Sequence, residues 1–504
     1  MAQDKPAMST RERFQHFTPM VAFITFYMSI CAFNFGYDVG NFSGVQGMSS
    51  FARQFGKYDA KTDTWAIPGY LSSIMTSMPF FGKAIGAACC GWIAERYGRK
   101  VAVAVLAITS LVGVLLQVSA TTAGQFTLGR VINFGMTGFT IVVVPIYQAE
   151  CAPKAIRGLC NSTLQMMIMC GQTIASLVVY GTEKLSGNKA WQIPTGLQFL
   201  VPLILLALLP LIPESPRWLL ARHRIDEATI SLRRLRGEAV SNDRIEDEIQ
   251  ELQLANTNDG KGSWQEVFSK KNKRRTTVAI LAMFGQQITG QAFISQYSVV
   301  FYEGQGFGSK SFLFNIINNV CGVAGTIIAF MVVDGMGRRP LLLVGGALMG
   351  TFLLIVGGIS TNPHPPQAAR NTMVASLALY TCMFCVSWAP VSYVVLSESA
   401  ASRVKEKTNL LACIISVLTT FVTTFTMPYL IDAGYGNLGG KVGFVYGSIC
   451  WAYVVVTWFG IPELKGRTLE EVDYMFDSGA RLWQFSSIRV PTREEESVES
   501  VVGK

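Results

Sequence analysis

About twelve apolar runs constrain this chain more than any other feature, because an α-helix needs ~17–25 apolar residues to cross ~30 Å of hydrocarbon. The runs lie near 20–42, 66–90, 101–119, 124–148, 160–182, 193–212, 276–302, 312–333, 339–360, 372–397, 408–431 and 442–461. They are too long for barrel strands and lack alternation at every second residue, so helices are expected. Only 15% of the 504 residues are charged and 50% are hydrophobic. An all-α membrane protein follows, since no ordinary soluble fold hides that much apolar surface.

The charged residues are not scattered. Glu95-Arg96-Tyr97-Gly98-Arg99-Lys100 recurs as Asp334-Gly335-Met336-Gly337-Arg338-Arg339, Glu150 with Arg157 recurs as Glu398 with Lys405, and Pro213-Glu214 recurs as Pro462-Glu463. The offsets are about 239, 248 and 249 residues, nearly constant, as a duplication with a small insertion produces. Each cluster ends an apolar run. Two related halves with a pathway between them are what alternating access requires.

Orientation follows from Lys and Arg. With a cytosolic N-terminus, about 32 of the 42 basic residues fall in inside segments and about 8 in outside loops, which fixes both termini inside. The net charge of +9 is then a product of topology, and no nucleic-acid partner is expected. Residues 1–19 form a polar tail, and the first run lacks a small-residue cleavage site, so it reads as a span and no cleavable signal is expected. The 11 cysteines sit mostly inside apolar runs as core fillers, without metal or disulfide spacing. Neither a metal nor a cofactor is expected, and no nucleophile–base set marks an enzyme.

The expected divisions are 1–19 (tail), 20–213 (first six-helix half), 214–275 (cytosolic linker), 276–462 (second half) and 463–504 (tail). The linker alternates acidic and basic residues with Ile245, Ile249 and Leu252 at helical spacing, so short amphipathic helices docked beneath the bundle are expected there. The polar stretch past about residue 478, with Glu494-Glu495-Glu496, is expected to be disordered.

Taken in order, the motifs resemble the sugar porter family of the major facilitator superfamily, most closely the fungal proton-coupled hexose permeases. They are Gly36-Tyr37-Asp38, Glu95 to Lys100, Gly129-Arg130, Pro145 with Tyr147 and Glu150, Pro153 with Arg157-Gly158, Pro213 to Leu219, Gln286-Gln287, Asp334 to Arg339, and Pro462 to Thr468. The resemblance covers about residues 20–475. It implies a major facilitator fold: twelve transmembrane helices in two six-helix bundles with a cytosolic helical insert. It also implies uptake of a monosaccharide, such as glucose, by proton symport across the cell membrane, through a monomer.

Asp38 and Arg130 lie within the first and fourth runs, where an ionised group costs ~2.5–3.5 kcal/mol and needs a partner. A static structural pair is one reading. The resemblance implies the other, with Asp38 as proton acceptor and Arg130 holding its anion. Lys83, read as about one and a half turns from the cytosolic end of the second run, is expected to snorkel to the interface or to pair with Asp38. The resemblance further implies that Glu95, Arg99, Glu150, Arg157, Asp334, Arg338, Arg339, Glu398 and Lys405 form ion-pair networks that close an inner gate. Lys405 departs from the usual Arg, which exchanges a bidentate fork for a point charge.

A sugar site needs amides that donate and accept, plus an aromatic platform. Gln165, eight residues past Arg157, Gln286 and Gln287 match family ligand positions, and Gln172 lies two turns beyond Gln165. Pro390 is expected to break the tenth run beside Trp388, with Phe384 and Trp388 stacking on a sugar or packing in the core, and Tyr297 as an outer gate. Four family positions are altered: Ala292, Gly322, Cys385 and Ser416-Val417 stand where polar ligands or an Asn-Trp pair are usual. That weakens the hydroxyl-binding half of the site and keeps two alternatives open. One is another solute, namely a polyol, a quinate-like acid or a secondary metabolite; the other is a transporter-like sugar sensor.

Overall fold

The computed structural model describes residues 18–59, 63–153, 157–237, 240, 242–258, 262–432, 434–467 and 469–487. Twelve spans follow one another. The first half holds α1 (Pro19–Val45), α2 (Gly69–Ser77 continuing as Pro79–Tyr97), α3 (Arg99–Val118), α4 (Ala123–Cys151), α5 (Arg157–Thr182) and α6 (Lys189–Gly196 through Leu200–Leu208). The second holds α7 (Lys270–Ile288 and Gln291–Gly304), α8 (Lys310–Met336), α9 (Arg338–Ile359), α10 (Gln367–Val386 and Trp388–Ser399), α11 (Lys405–Ile431) and α12 (Val442–Gly460). Among the described residues, eleven of these are long and apolar enough to cross a bilayer. The twelfth is α2, which is divided where Met78 passes the chain to Pro79 and which carries Lys83.

Small residues decide how closely the helices approach. On α1, Gly36, Gly40 and Gly44 recur every fourth position and meet α5; a Cβ at Gly36 would sit 2.0 Å from the Ile168 carbonyl oxygen. Glycine there lets two backbones touch, the usual basis of helix association in lipid. In the second half α7 packs on α10 and α11, α8 on α10, and α9 on α12. Each half has its own apolar core, and Phe35 and Leu164 pack against both. The halves meet through α5 on α8, α2 on α11, and α1 on the second piece of α7.

Two breaks depart from the sequence expectation. The run 276–302 reads as one helix but turns at Thr289-Gly290, where Gly290 takes φ +96°, a conformation costly for any residue with a Cβ. The carbonyl freed at Thr289 accepts hydrogen bonds from Tyr380 Oη (2.9 Å) and Cys450 Sγ (3.2 Å). In α10 the break falls at Ser387, with φ −112° and ψ −83°, not at Pro390. Pro390 instead occupies the first turn of the new helix, where a missing N–H costs nothing.

The segment between the halves forms helices Pro216–Ala221, Ile225–Arg236 and Asn242–Asn258. Trp218, Leu219, Leu232, Ile245 and Ile249 give them a small core. Thr18 Oγ1 donates to the Leu235 carbonyl at 2.6 Å, and Arg236 Nη1 to the Cys151 carbonyl at 3.1 Å, which seats them on the first half. The end of the bundle they cover is called the linker end; the opposite one is the far end. At the far end the halves touch: Ser73 Oγ donates to the Phe425 carbonyl at 2.9 Å, and Asn319 Nδ2 to Ser176 Oγ at 3.2 Å. The tail segment 482–487 falls within the stretch expected to be disordered but forms a 3-10 helix docked on the second half, because Phe485 is buried in that core; Glu494-Glu495-Glu496 lie outside the described residues.

Candidate functional site

Asp38 and Arg130 are brought together in the interior of the first half, both essentially without solvent exposure. Arg130 Nη2 stands 3.9 Å from Asp38 Oδ2, close enough for attraction but too far for a hydrogen bond. Asp38 Oδ1 instead accepts from Asn133 Nδ2 at 2.7 Å. A relay of buried polar groups continues outward: Ser110 Oγ donates to Asn133 Oδ1 (3.0 Å), and Asn34 Nδ2 to Ser110 Oγ (3.1 Å). Arg130 lies 3.5 Å above the Phe42 ring and donates from Nη1 to the Met75 carbonyl at 3.0 Å. Asp38 Oδ2, Arg130 Nε and Arg130 Nη2 have no hydrogen-bond partner. Chemically this is a carboxyl held loosely by a cation that keeps an alternative seat on an aromatic face and a carbonyl. Asn133 Nδ2 also donates to Gln198 Oε1 at 3.0 Å. Asn34, Ser110, Asn133 and Gln198 are the members that sequence reasoning missed; each is a single polar residue inside an apolar run, and only the fold lines them up.

The amides of the two halves differ in how far they are committed to partners. Gln286 Nε2 donates to the carbonyls of Trp388 (3.2 Å) and Ala389 (2.9 Å), and its Oε1 accepts from Gln287 Nε2 at 2.9 Å. Gln286 thus braces the broken α7 against the broken α10. Gln287 and Gln165 are half-buried, and Gln172 is nearly buried on α5. Gln291 and Gln296, on the second piece of α7, bury amide oxygens without partners; sequence reasoning passed over them because they fall outside the matched family positions.

Trp388 is placed elsewhere than a stacking role requires. Its indole is fully buried and meets Tyr453 edge-on at 5.6 Å between ring centres. A Cβ added at Gly285 would lie 2.6 Å from the ring, and one at Gly346 would lie 3.3 Å from its Nε1. The ring fills the space that two glycines leave inside the second half, so no face is left for a solute. Phe384 is buried in the same core. The altered positions Gly322 and Cys385 prove to be one feature: Met169 of α5 reaches across, its Sδ 3.5 Å from Cys385 Sγ and 3.0 Å from where a Gly322 Cβ would lie. Asn318 pairs with Tyr302 Oη at 3.0 Å and Asn319 with α5, so neither replaces the missing polar group.

The duplicated motifs build the same object twice at the linker end. Arg99 grips Glu150 with two bonds, Nε to Oε2 at 2.9 Å and Nη2 to Oε1 at 2.7 Å. Arg338 grips Glu398 in the same way, at 3.2 and 2.9 Å. Glu214 accepts from the backbone N–H groups of Arg99 and Lys100 at 3.0 and 3.1 Å, and Glu463 from those of Arg338 and Arg339, both at 3.0 Å. Each carboxylate therefore satisfies the unpaired donors that begin α3 and α9, where the helix dipole favours an anion. Gly98 (φ +103°) and Gly337 (φ +94°) leave room for it. The capping role of Glu214 and Glu463 was missed, although their repetition at one offset was visible. Arg339 leaves the expected network: it stacks 4.7 Å from the Trp458 ring and donates to the Trp458 and Trp483 carbonyls. Glu95 offers its carbonyl to Trp218 Nε1 at 2.7 Å. Lys405 begins α11. The side chains of Arg157 and Asp334 lie outside the described residues.

At the far end, Tyr297 is buried and donates to the Thr424 carbonyl at 3.0 Å. It lines a cavity of about 780 Å³ together with Ser72, Glu183, Glu303 and Asp432. Burial pushes the Glu183 carboxyl above its ordinary range, with Lys184 opposing, and pushes Asp432 up as well.

Lys83 corrects the snorkelling expectation. α2 runs on to Tyr97, so Lys83 stands fourteen residues, or ~21 Å of helix, from either end of 69–97. A lysine side chain cannot span that. It does not pair with Asp38 either: its Nζ lies 5.0 Å from the centre of the Phe35 ring on α1. Such a contact is worth ~0.5–2 kcal/mol, less than the ~2.5–3.5 kcal/mol that a mid-bilayer charge costs.

The comparisons with known proteins agree with this architecture. The family model described as sugar (and other) transporter matches residues 24–476. The chain is 29% identical to hexose transporter HXT13 of Saccharomyces cerevisiae, over 95% of this chain and 88% of that one. It is 30% identical to hexose transporter 2 of Kluyveromyces lactis, over 93% and 84%. Its fold is similar to a partially occluded, inward-open structure of the Escherichia coli xylose transporter XylE, with a TM-score of 0.75 at 23% identity, covering 90% of this chain and all of that one. A multi-pass membrane protein with this fold and this match, and no enzyme, the chain belongs to the sugar (and other) transporter family.

Proposed function

We propose that the protein carries a monosaccharide across the cell membrane by proton symport, with a hexose such as glucose as the reference substrate and both termini cytosolic. The observation that carries this reading is the buried Asp38, 3.9 Å from Arg130 and hydrogen-bonded to Asn133. An ionised Asp38 attracts Arg130; protonation removes that attraction and leaves Arg130 held by Phe42 and the Met75 carbonyl alone. Proton binding thereby alters the packing on α4 of α1, the helix that meets the second piece of α7.

In this reading the halves, 20–213 and 276–462, rock about a midplane site to which Gln165, Gln172 and Gln287 contribute. The present form has its far end closed, with the two linker-end knots each held within a half. The knots and Glu95, Arg157, Asp334 and Lys405 act as inner-gate parts; Tyr297 serves the outer gate. Gln286 positions Gln287. The hexose transporters and XylE support the sugar reading by family and fold. The test is labelled glucose uptake at varied pH in transport-null cells, with Asp38→Asn beside the wild type. Uptake untouched by a protonophore and by Asp38→Asn would falsify the coupling.

A further inference from the structure

The interior of the spans holds an uncompensated cation. Arg130 faces Asp38, whereas Lys83 faces no carboxylate; among the described residues it takes part in no ion pair. Its direction is set by helical periodicity. Ile85 and Trp92 mark the exposed side of α2, Phe81 meets Phe421 of α11 at 4.9 Å between ring centres, and Gly82 and Gly86 press on the backbone of α4. At 100° per residue, Lys83 points away from that exposed side, between α4 and the partner helix α11. Phe35, the ring beneath its amine, packs against the cores of both halves. The amine therefore sits at mid-membrane depth, on the seam where the halves meet.

We propose that Lys83 binds a carboxylate on the transported solute, so that the protein takes monosaccharide acids, an aldonate or a uronate, ahead of neutral hexoses. This rests on the monosaccharide reading above and narrows its substrate class. Two considerations support it. Beside Gln286 and Gln287, the second half has lost polar groups at positions where the family resemblance places sugar ligands: Ala292 is apolar, and Met169 fills the space between Gly322 and Cys385. Charge bookkeeping points the same way. With Asp38 ionised, Asp38, Arg130 and Lys83 sum to one positive charge at mid-membrane, and an anionic solute neutralises it.

The experiment is competition against labelled glucose uptake by unlabelled gluconate, glucuronate and glucose, in cells carrying wild type, Lys83→Met or Lys83→Arg. The same solutes are added to the purified protein, with thermal stabilisation as readout. Expected for the wild type is half-inhibition by an acid at about tenfold lower concentration than by glucose. Lys83→Met loses that tenfold advantage and keeps glucose competition; Lys83→Arg retains most of it. The proposal is overturned if glucose enters and neither acid competes, if acids and glucose compete equally, or if Lys83→Met weakens both alike. Absence of uptake and of stabilisation by every solute overturns the monosaccharide reading, and this one with it.

Discussion

At the linker end, Arg99, Glu150 and Glu214 of the first half match Arg338, Glu398 and Glu463 of the second, partner for partner and within a few tenths of an ångström. At mid-membrane the halves share almost nothing. The first keeps a carboxyl, a guanidinium and a relay of amides; the second keeps two helix breaks braced by Gln286 and an apolar contact made by Met169. The difference separates two kinds of demand. Parts that hold helix ends together must work alike in both halves if the halves are to rock symmetrically. Parts that read the solute and the proton need occur only once, and the duplicated copies were free to diverge.

The sharpest way to break that division is at Asp38. A membrane potential of ~100 mV acting on one charge is worth ~2.3 kcal/mol, or roughly 50-fold accumulation. Asp38→Asn is expected to abolish concentrative uptake of labelled glucose while leaving downhill exchange. Retained accumulation would move the coupling elsewhere. Next come the caps. Glu214→Ala and Glu463→Ala each strand backbone donors at a helix start and should each cost ~1–3 kcal/mol, read as a lower melting temperature in detergent. A large loss in one half and none in the other would show that the matching geometry does not carry matching energy.

A smaller effect distinguishes neighbours on α7. Gln287→Leu is expected to weaken half-saturation for sugar about tenfold, near 1.4 kcal/mol, with melting unchanged. Gln286→Leu lowers both, because it also removes the brace to the Trp388 and Ala389 carbonyls. Equal behaviour of the two variants contradicts the assignment. The smallest concerns the far end. Burial raises the Glu183 carboxyl in this closed form, so the closed form binds the proton more tightly than a solvated, open one. Closure is then favoured below the raised value and loses that contribution as pH rises through it. Glu183→Gln should flatten this pH dependence, measured by the distance between spin labels placed on the two halves at that end.

Much of the fold was legible because a bilayer tolerates few alternatives: apolar length forces helices, and Lys and Arg mark their ends. The site was legible in pieces. Asp38 and Arg130 stood out as charges in apolar runs, and Gln165, Gln286 and Gln287 as matched amides. Asn133 and Gln198 did not, since one polar residue in a span carries no signal until its neighbours are known. Trp388 misled because an aromatic beside a proline looks like a platform, whereas Gly285 and Gly346, remote in sequence, had already made room for the ring inside the core. Lys83 misled through helix length, because an α2 ending near residue 90 would have let it snorkel.

From the chain alone came the number and order of the spans, the duplication, and the residues with chemistry to offer, all fixed by local composition. Which of those residues meet was left to the packing of the helices. Helices cross at angles and depths set by small residues such as Gly36, Gly40 and Gly44, and no periodicity within one helix says what the next helix will bring against it.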